Sequence, residues 1–223
     1  MNKAKKLFIV EGVNRDFRFM EALSSSLFQG RYEIETVVLP ADQNIYMLYN
    51  ILKADDFESD VIEVLRDHVE IAASILNGIT RQDVDEIFLF FDYDVHQNNL
   101  SKYHGIEAED ALLELINFFD NETECGKLYI SYPMVEALYD FVQHECLPKT
   151  SCFFPLDRLS TYKNEAGEHN PNALLRFTSH EEWKNALEIF GLRVQCLFNQ
   201  QGITYNYYRN NVTVLNIFLH QLG

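Results

Sequence analysis

Two short apolar runs in this chain are not interrupted by polar residues, and each run ends in an acid. Residues 7–10 (Leu-Phe-Ile-Val) lead into Glu11, and residues 87–91 (Ile-Phe-Leu-Phe-Phe) lead into Asp92. A strand that is covered on both faces is apolar throughout, whereas a half-exposed strand alternates between apolar and polar residues. The two runs therefore predict buried strands in a sheet that has helices on both faces.

Further apolar segments and helical periods complete the predicted fold. The four predicted strands cover residues 6–10, 33–39, 86–91 and 127–131. Between the strands, apolar residues recur at helical spacing, most regularly over residues 108–119 and also over residues 61–76. Strands that alternate with helices indicate βαβ units. We therefore expect an α/β fold with a mainly parallel sheet of about four strands.

The pattern changes near residue 149 and divides the chain into two parts. Residues 1–148 carry the alternating strands and helices, and a segment at about 40–60 that breaks the rhythm is interpreted as an insertion. Residues 149–223 begin with a loop-like stretch and continue into two helical patterns. Ser179 with Glu182 forms a capping box that opens the first of them. We expect a mostly helical C-terminal extension that packs on the α/β domain.

Composition limits the location and the partners of the chain. No apolar run is long enough for a membrane span of about 18 residues. The four cysteines form no C-x-x-C pair, which favours a reducing, cytoplasmic location. The net charge of −16 argues against binding nucleic acid by electrostatics alone. Affinity for a polyanion would then depend on metal ions or on a basic partner.

Acidic residues follow three of the four predicted strands, at the edge where ligands collect in parallel sheets. Asp92 and Asp94 are two residues apart, and in extended backbone such side chains point the same way and can face one ion. Glu11 follows the first strand, and Glu136 follows the last. Carboxylates, waters and phosphate oxygens are the ligands that Mg²⁺ prefers. The pattern predicts a site for Mg²⁺ or Mn²⁺ that acts on a phosphate ester; the alternative is a set of solvated acidic turns.

Three motifs in this order resemble a known domain. Val-Glu-Gly at residues 10–12 and Phe-Phe-Asp-Tyr-Asp at residues 90–94 resemble the two signatures of the Toprim domain, which has a Rossmann-like sheet and occurs in topoisomerases, bacterial primases and the overcoming-lysogenization-defect nucleases. The segment SYPMVEALYDF at residues 131–141 is similar to the P-x-x-E helix start of compact Toprim proteins in bacterial antiphage systems. Those proteins include the RloB-like family and the Toprim effector of the PARIS system. The resemblance covers residues 5–145.

The resemblance implies a role for each matching acid. Glu11 carries over as the general acid/base, or as a glutamate that shares the metal. Asp92 and Asp94 carry over as Mg²⁺ ligands, and Glu136 as a further acidic ligand.

One position departs from the family pattern, and two others near the motifs lack an assigned role. Many Toprim domains place an acid four residues after the glutamate, where this chain has Arg15, and Asp16 follows one residue later. Arg15, Asp16 and His96 are candidates for supporting the metal ligands. A nuclease also needs a cation to stabilise the charge that develops on phosphorus, and the candidates are Arg15, Lys149, Arg158 and Lys163. Lys163 lies in the loop-rich segment after Glu136, from which such a group could reach the site, and it is taken as the catalytic candidate.

The resemblance implies a function and a class of partner. It points to a Mg²⁺-dependent endonuclease that cuts DNA or RNA, including tRNA, as the toxic effector of an antiphage defence system with an ATPase partner. The first alternative is an inactive Toprim-fold assembly or binding module that partners an ATPase. The second is a small-molecule phosphatase or phosphotransferase that uses the same carboxylates, although the chain lacks a D-x-D-x-[TV] nucleophile pattern. The oligomeric state is left open.

Overall fold

The fold is α/β, as the alternating apolar patterns predict, and is seen in a computed structural model of the chain. The structure describes residues 3–12, 16–28, 30–40, 43–93, 100, 105–131, 134–136, 161–162, 164–165, 168, 178–186 and 188. Within these residues, a five-stranded sheet carries helices on both faces.

The sheet has the strand order β2-β1-β3-β5-β4. Its strands are β1 (Lys5–Glu11), β2 (Glu33–Leu39), β3 (Glu86–Asp92), β4 (Asp120–Asn121) and β5 (Gly126–Ser131). Neighbouring strands are parallel except for β4, which runs antiparallel to β5. The sheet has one strand more than the sequence indicates, because two residues are too few to show a periodic pattern.

Four helices cover one face of the sheet. They are α2 (Ile45–Ala54), α3 (Val61–His68), α4 (Glu70–Ile75) and α5 (Ala108–Phe118). Their apolar residues meet alternate strand residues such as Leu7 and Ile9 in one core. The Asn44 side chain accepts hydrogen bonds from the first turn of α2, and the Asp60 side chain does the same for α3. Helix α2 lies in the segment interpreted as an insertion, and its buried residues belong to this core.

The apolar stripe from residue 61 to residue 76 is divided between two helices. Val69 separates α3 from α4 and has an extended backbone, with φ −123° and ψ 105°. The five residues of the stripe are nevertheless all buried, namely Val61, Leu65, Val69, Ala72 and Leu76. The periodicity therefore predicts burial correctly, although it does not predict the break.

The second face of the sheet is covered by an early helix and by residues from late in the chain. Helix α1 (Asp16–Leu23) continues into a π-helical turn, Ser24–Phe28, and residues 180–186 are also helical. Apolar residues from both helical segments surround Phe8 and Val10 of β1. Across the residues that the structure describes, no helix is both long enough and apolar enough to cross a membrane.

Candidate functional site

The order of the strands creates a crevice at the carboxyl edge of the sheet. The connection from β1 leads to β2 on one side, and the connection from β2 crosses back to β3 on the other side. Ligands in open parallel sheets bind at the point where the strand order reverses in this way. Here that point lies between the ends of β1 and β3, which are Glu11 and Asp92.

Glu11 and Asp92 meet across this crevice. The two strands pair with each other in parallel up to Val10 and Phe90, and beyond this point Glu11 stays paired with β2 while Asp92 stays paired with β5. The backbone N–H of Asp92 donates a hydrogen bond to Glu11 Oε2 at 3.4 Å. This contact orients the glutamate carboxylate toward the end of β3.

The segment after β5 turns back over Asp92. Ser131, the last residue of β5, is the sheet partner of Asp92. The backbone N–H of Val135 then donates to Asp92 Oδ1 at 2.9 Å. The next residue, Glu136, is 1% exposed. The hydrogen bond therefore brings the buried Glu136 close to Asp92.

A glycine turn brings a fourth acid to the same place. Gly12 has φ +94°, a conformation that side chains other than glycine rarely adopt, and its N–H donates to the Leu39 carbonyl at 3.3 Å. A Cβ atom at Gly12 would lie 3.0 Å from Asp16 Oδ2. The carboxylate of Asp16, at the start of α1, thus folds against the glycine at the end of β1.

These four residues, Glu11, Asp16, Asp92 and Glu136, are called the acidic site below. Asp92 is partly exposed as a residue, but its carboxyl has lost most of its solvent, and this raises its pKa well above the ordinary value of 3.8. The charges of Asp16, Glu11 and Glu136 raise that pKa further, in this order, and the hydrogen bond from Val135 opposes them. The acidic site thus holds Asp92 toward its protonated form.

The ligand chemistry of the acidic site fits a hard divalent cation, although the described side chains do not form a finished metal site. Carboxylate oxygens are the preferred ligands of Mg²⁺, and a cation would relieve the repulsion that acts on Asp92. Within the part of the chain that the structure describes, no group of three or more His, Cys, Asp or Glu side chains is gathered so that it could hold a metal ion. The acids are close enough to affect the charge of Asp92, but they do not surround one point.

The structure brings together some of the residues that the sequence singles out. Glu11, Asp92 and Glu136 lie at one edge of the sheet, and Asp16 joins them. The other candidates lie outside the described residues, namely Asp94, Arg15, His96, Lys149, Arg158 and Lys163. The role of each residue stays a prediction.

Two features of the acidic site are not visible in the sequence motifs. The Val135 N–H that contacts Asp92 is a backbone group, so no residue type marks it. Asp16 is one position away from the family pattern, and its proximity depends on the turn at Gly12. The Gly that follows Glu11 is the one signal in the sequence for such a turn.

Comparisons with models of known protein families, with curated proteins and with solved structures gave no match to this chain.

Proposed function

We propose that this chain is a Mg²⁺- or Mn²⁺-dependent endonuclease that hydrolyses phosphodiester bonds of DNA or RNA. The observation that carries the proposal is the position of Asp92, which lies at the reversal point of the sheet among three other acids that raise its pKa. Crowded carboxylates at such a crevice are costly without a cation and useful with one. The Toprim-like motifs at residues 10–12, 90–94 and 131–141 support the same reading.

The residues of the site have distinct roles in this proposal. When bound, the cation would stabilise the negative charge on the phosphate and lower the pKa of the attacking water. Asp92 and Asp94 would hold it, with Glu136 as a further ligand. Glu11, oriented by the Asp92 N–H, would accept the proton of the water as its oxygen attacks phosphorus. The phosphorus–oxygen ester bond would break, the leaving oxygen would take up a proton from solvent water, and Lys163 would stabilise the charge that develops on phosphorus in the transition state.

The biological setting is proposed on the resemblance of residues 131–141 to compact Toprim proteins. The chain would act as the effector of a bacterial antiphage system and would be held or activated by an ATPase partner. The net charge of −16 is in keeping with a need for a partner that brings the nucleic acid to the site.

The proposal is tested by cleavage assays on plasmid DNA and on tRNA, with Mg²⁺ or Mn²⁺, with and without a candidate ATPase partner. We expect EDTA to remove cleavage and Asp92→Asn to lower its rate by about 100-fold or more, since even residues that only support metal ligands contribute 10- to 100-fold. The control is Asp67→Asn, which removes a 69% exposed carboxylate from α3. Cleavage by Asp92→Asn at the parental rate would disprove the assignment.

The second candidate function is an inactive assembly module of the same fold. It is favoured by the finding that no described group of acids is gathered around one point. Such a module would bind its ATPase partner without any cleavage under all of the conditions above. Cleavage separates the two candidates, because a module whose metal site is vestigial or structural does not cut nucleic acid even where it binds the cation.

A further inference from the structure

The single tryptophan of the chain, Trp183, packs against helix α1, which carries Asp16 of the acidic site. Trp183 belongs to the helical residues 180–186 and is 1% exposed. The start of this helix is fixed by the capping box that the sequence predicts. The Glu182 N–H donates to Ser179 Oγ at 3.3 Å, and the Ser179 N–H donates to Glu182 Oε2 at 3.0 Å. A well-defined helix start therefore presents this side chain to the sheet.

Trp183 makes two specific contacts with the helix that carries Asp16. The edge of its ring meets Phe19 of α1, with centroids 5.3 Å apart and planes at 73°. Its indole N–H donates a buried hydrogen bond to Ser26 Oγ in the π-helical turn, and the Ser26 hydroxyl donates to the Ala22 carbonyl. Helix α1 and its π-helical continuation are thus each attached to the 180–186 helix by one contact.

The same buried cluster also reaches the other side of the acidic site. Phe19, Trp183 and Val135 are members of one apolar cluster. Phe19 lies three residues after Asp16, and Val135 donates to Asp92 and precedes Glu136. Side chains packed in such a core have little freedom to move, so the cluster fixes the distance between the two flanks of the site.

We propose that Trp183 is a positioning residue for the acidic site. Through Phe19 and Ser26 it holds α1 in place, and with α1 it holds Asp16 against Gly12 and beside Asp92. The π-helical turn at Ser24–Phe28 is in keeping with this role, since such turns are frequent near functional sites. This inference rests on the proposed cation-dependent function.

The test measures Mn²⁺ affinity of the full chain by titration calorimetry. Trp183→Phe keeps most of the ring packing and loses the indole N–H, and Ser26→Ala loses the hydroxyl that accepts it. We expect each variant to bind Mn²⁺ about tenfold more weakly, at the lower end of what the loss of support for metal ligands costs. In an Asp16→Asn background the Ser26→Ala change should no longer alter the affinity, because the two residues act through one path.

The matched control is Leu112→Ala in α5, which weakens the core on the opposite face of the sheet. It should lower the melting temperature at least as much as Ser26→Ala and leave Mn²⁺ affinity unchanged. If the parental protein binds Mn²⁺ and both Trp183→Phe and Ser26→Ala bind it with the same affinity, the positioning role is overturned and the proposed function is not. An equal loss in Leu112→Ala would also overturn it, since the effect would then be one of general stability. Failure of the parental protein to bind Mn²⁺ would overturn the proposed function together with this inference.

Discussion

Asp92 has little solvent around its carboxyl and three other carboxyl groups nearby, and both conditions raise its pKa. The unfolded chain releases this proton near the ordinary value of 3.8, whereas the folded chain keeps it to higher pH. Between these two pKa values the folded state binds more protons than the unfolded state, so stability falls as pH rises through this window. Above this window Asp92 is charged in the folded state and lowers the free energy of unfolding. Below pH 3.8 it is protonated in both states and does not lower the free energy of unfolding.

Asp92→Asn should therefore stabilise the protein at neutral pH in the presence of EDTA. We expect the melting temperature to rise by about 2–4 °C for each kcal/mol of repulsion removed, since that is the usual conversion for a chain of this size. Asparagine can still accept the hydrogen bond from the Val135 N–H. The measurement is thermal unfolding of both proteins between pH 3 and pH 8.

The difference between the two proteins should vanish at the acidic end of that range and grow as pH rises. The exposed-acid variant Asp67→Asn should follow the parental protein throughout. A gain in melting temperature that is the same at every pH would contradict the assignment, because it could not come from the ionisation of Asp92.

Alanine variants at Gly12 and Gly78 distinguish the cost of a strained backbone conformation from a disturbance of the acidic site. In Gly12→Ala the positive φ of +94° costs about 1–3 kcal/mol, and the new Cβ at 3.0 Å displaces the Asp16 carboxylate. Gly78 also has a positive φ, +74°, but a Cβ there meets nothing within 4 Å. We expect both alanine variants to lose stability in urea unfolding, and only Gly12→Ala to change Mn²⁺ affinity. Equal affinities in the two variants would show that Asp16 does not contribute.

At the scale of elements, β1 and β3 are joined by a buried ion pair at the edge opposite the acidic site. Lys6 is 3% exposed, pairs with Glu86 across the two strands, and lies 4.3 Å from the ring centroid of Tyr32. Burial lowers the pKa of Lys6, and the charges of Asp85 and Glu122 oppose this shift. The Lys6 ammonium group thus lies in a buried position that an apolar side chain of the same length would also fill.

Lys6→Met should leave the free energy of unfolding within about 1 kcal/mol of the parental value, because packing is kept and the cost of burying the charge is removed. The Glu86 side chain is 29% exposed, and its Oε2 atom, which is buried beside Lys6 in the parental protein, has to turn toward water in this variant. Lys6→Ala should cost about 2 kcal/mol or more, since it leaves a cavity. Urea unfolding measures both. The control is Lys5→Ala at the neighbouring surface pair with Glu33, where we expect less than about 1 kcal/mol. Equal losses in Lys6→Met and Lys6→Ala would mean that the charge, not the packing, matters.

At the scale of the whole molecule, the net charge of −16 lowers the affinity of the protein for a polyanion such as nucleic acid. Binding that depends on the phosphate backbone requires clustered lysine and arginine. In this chain 18 basic residues are set against 34 acidic ones. A divalent cation at the acidic site, or a basic partner, would have to supply the missing attraction.

The isolated chain should therefore bind duplex DNA or tRNA weakly in a mobility-shift assay with EDTA at moderate salt. Adding Mn²⁺ to a cleavage-deficient Glu11→Gln variant should strengthen binding, and adding it to Asp92→Asn should not. Tight binding by the free chain in EDTA would contradict this prediction, because it would require a basic face.

Most of the strands and helices of this fold are predicted by local patterns in the sequence. The unbroken apolar runs at residues 7–10 and 87–91 predict that β1 and β3 are buried on both faces, because only strands covered on both faces exclude polar residues. The capping box at Ser179 is also visible in the sequence, since its partners are three residues apart. The extended residue Val69 and the short strand β4 are not predicted, because a break of one residue and a strand of two leave the periodicity unchanged.

The sequence by itself therefore determined the class of fold and placed Glu11 and Asp92 at strand ends, since both follow from the spacing of neighbouring residues. Only the tertiary structure decided that β1 and β3 are adjacent and that the order of strands reverses between them. It also decided that Gly12 turns Asp16 toward Asp92, and that Trp183 supports α1 from a distance of 157 residues along the chain. These contacts join residues far apart in sequence. The local patterns indicate that both faces of the sheet are buried, but they do not indicate which distant residues cover each face.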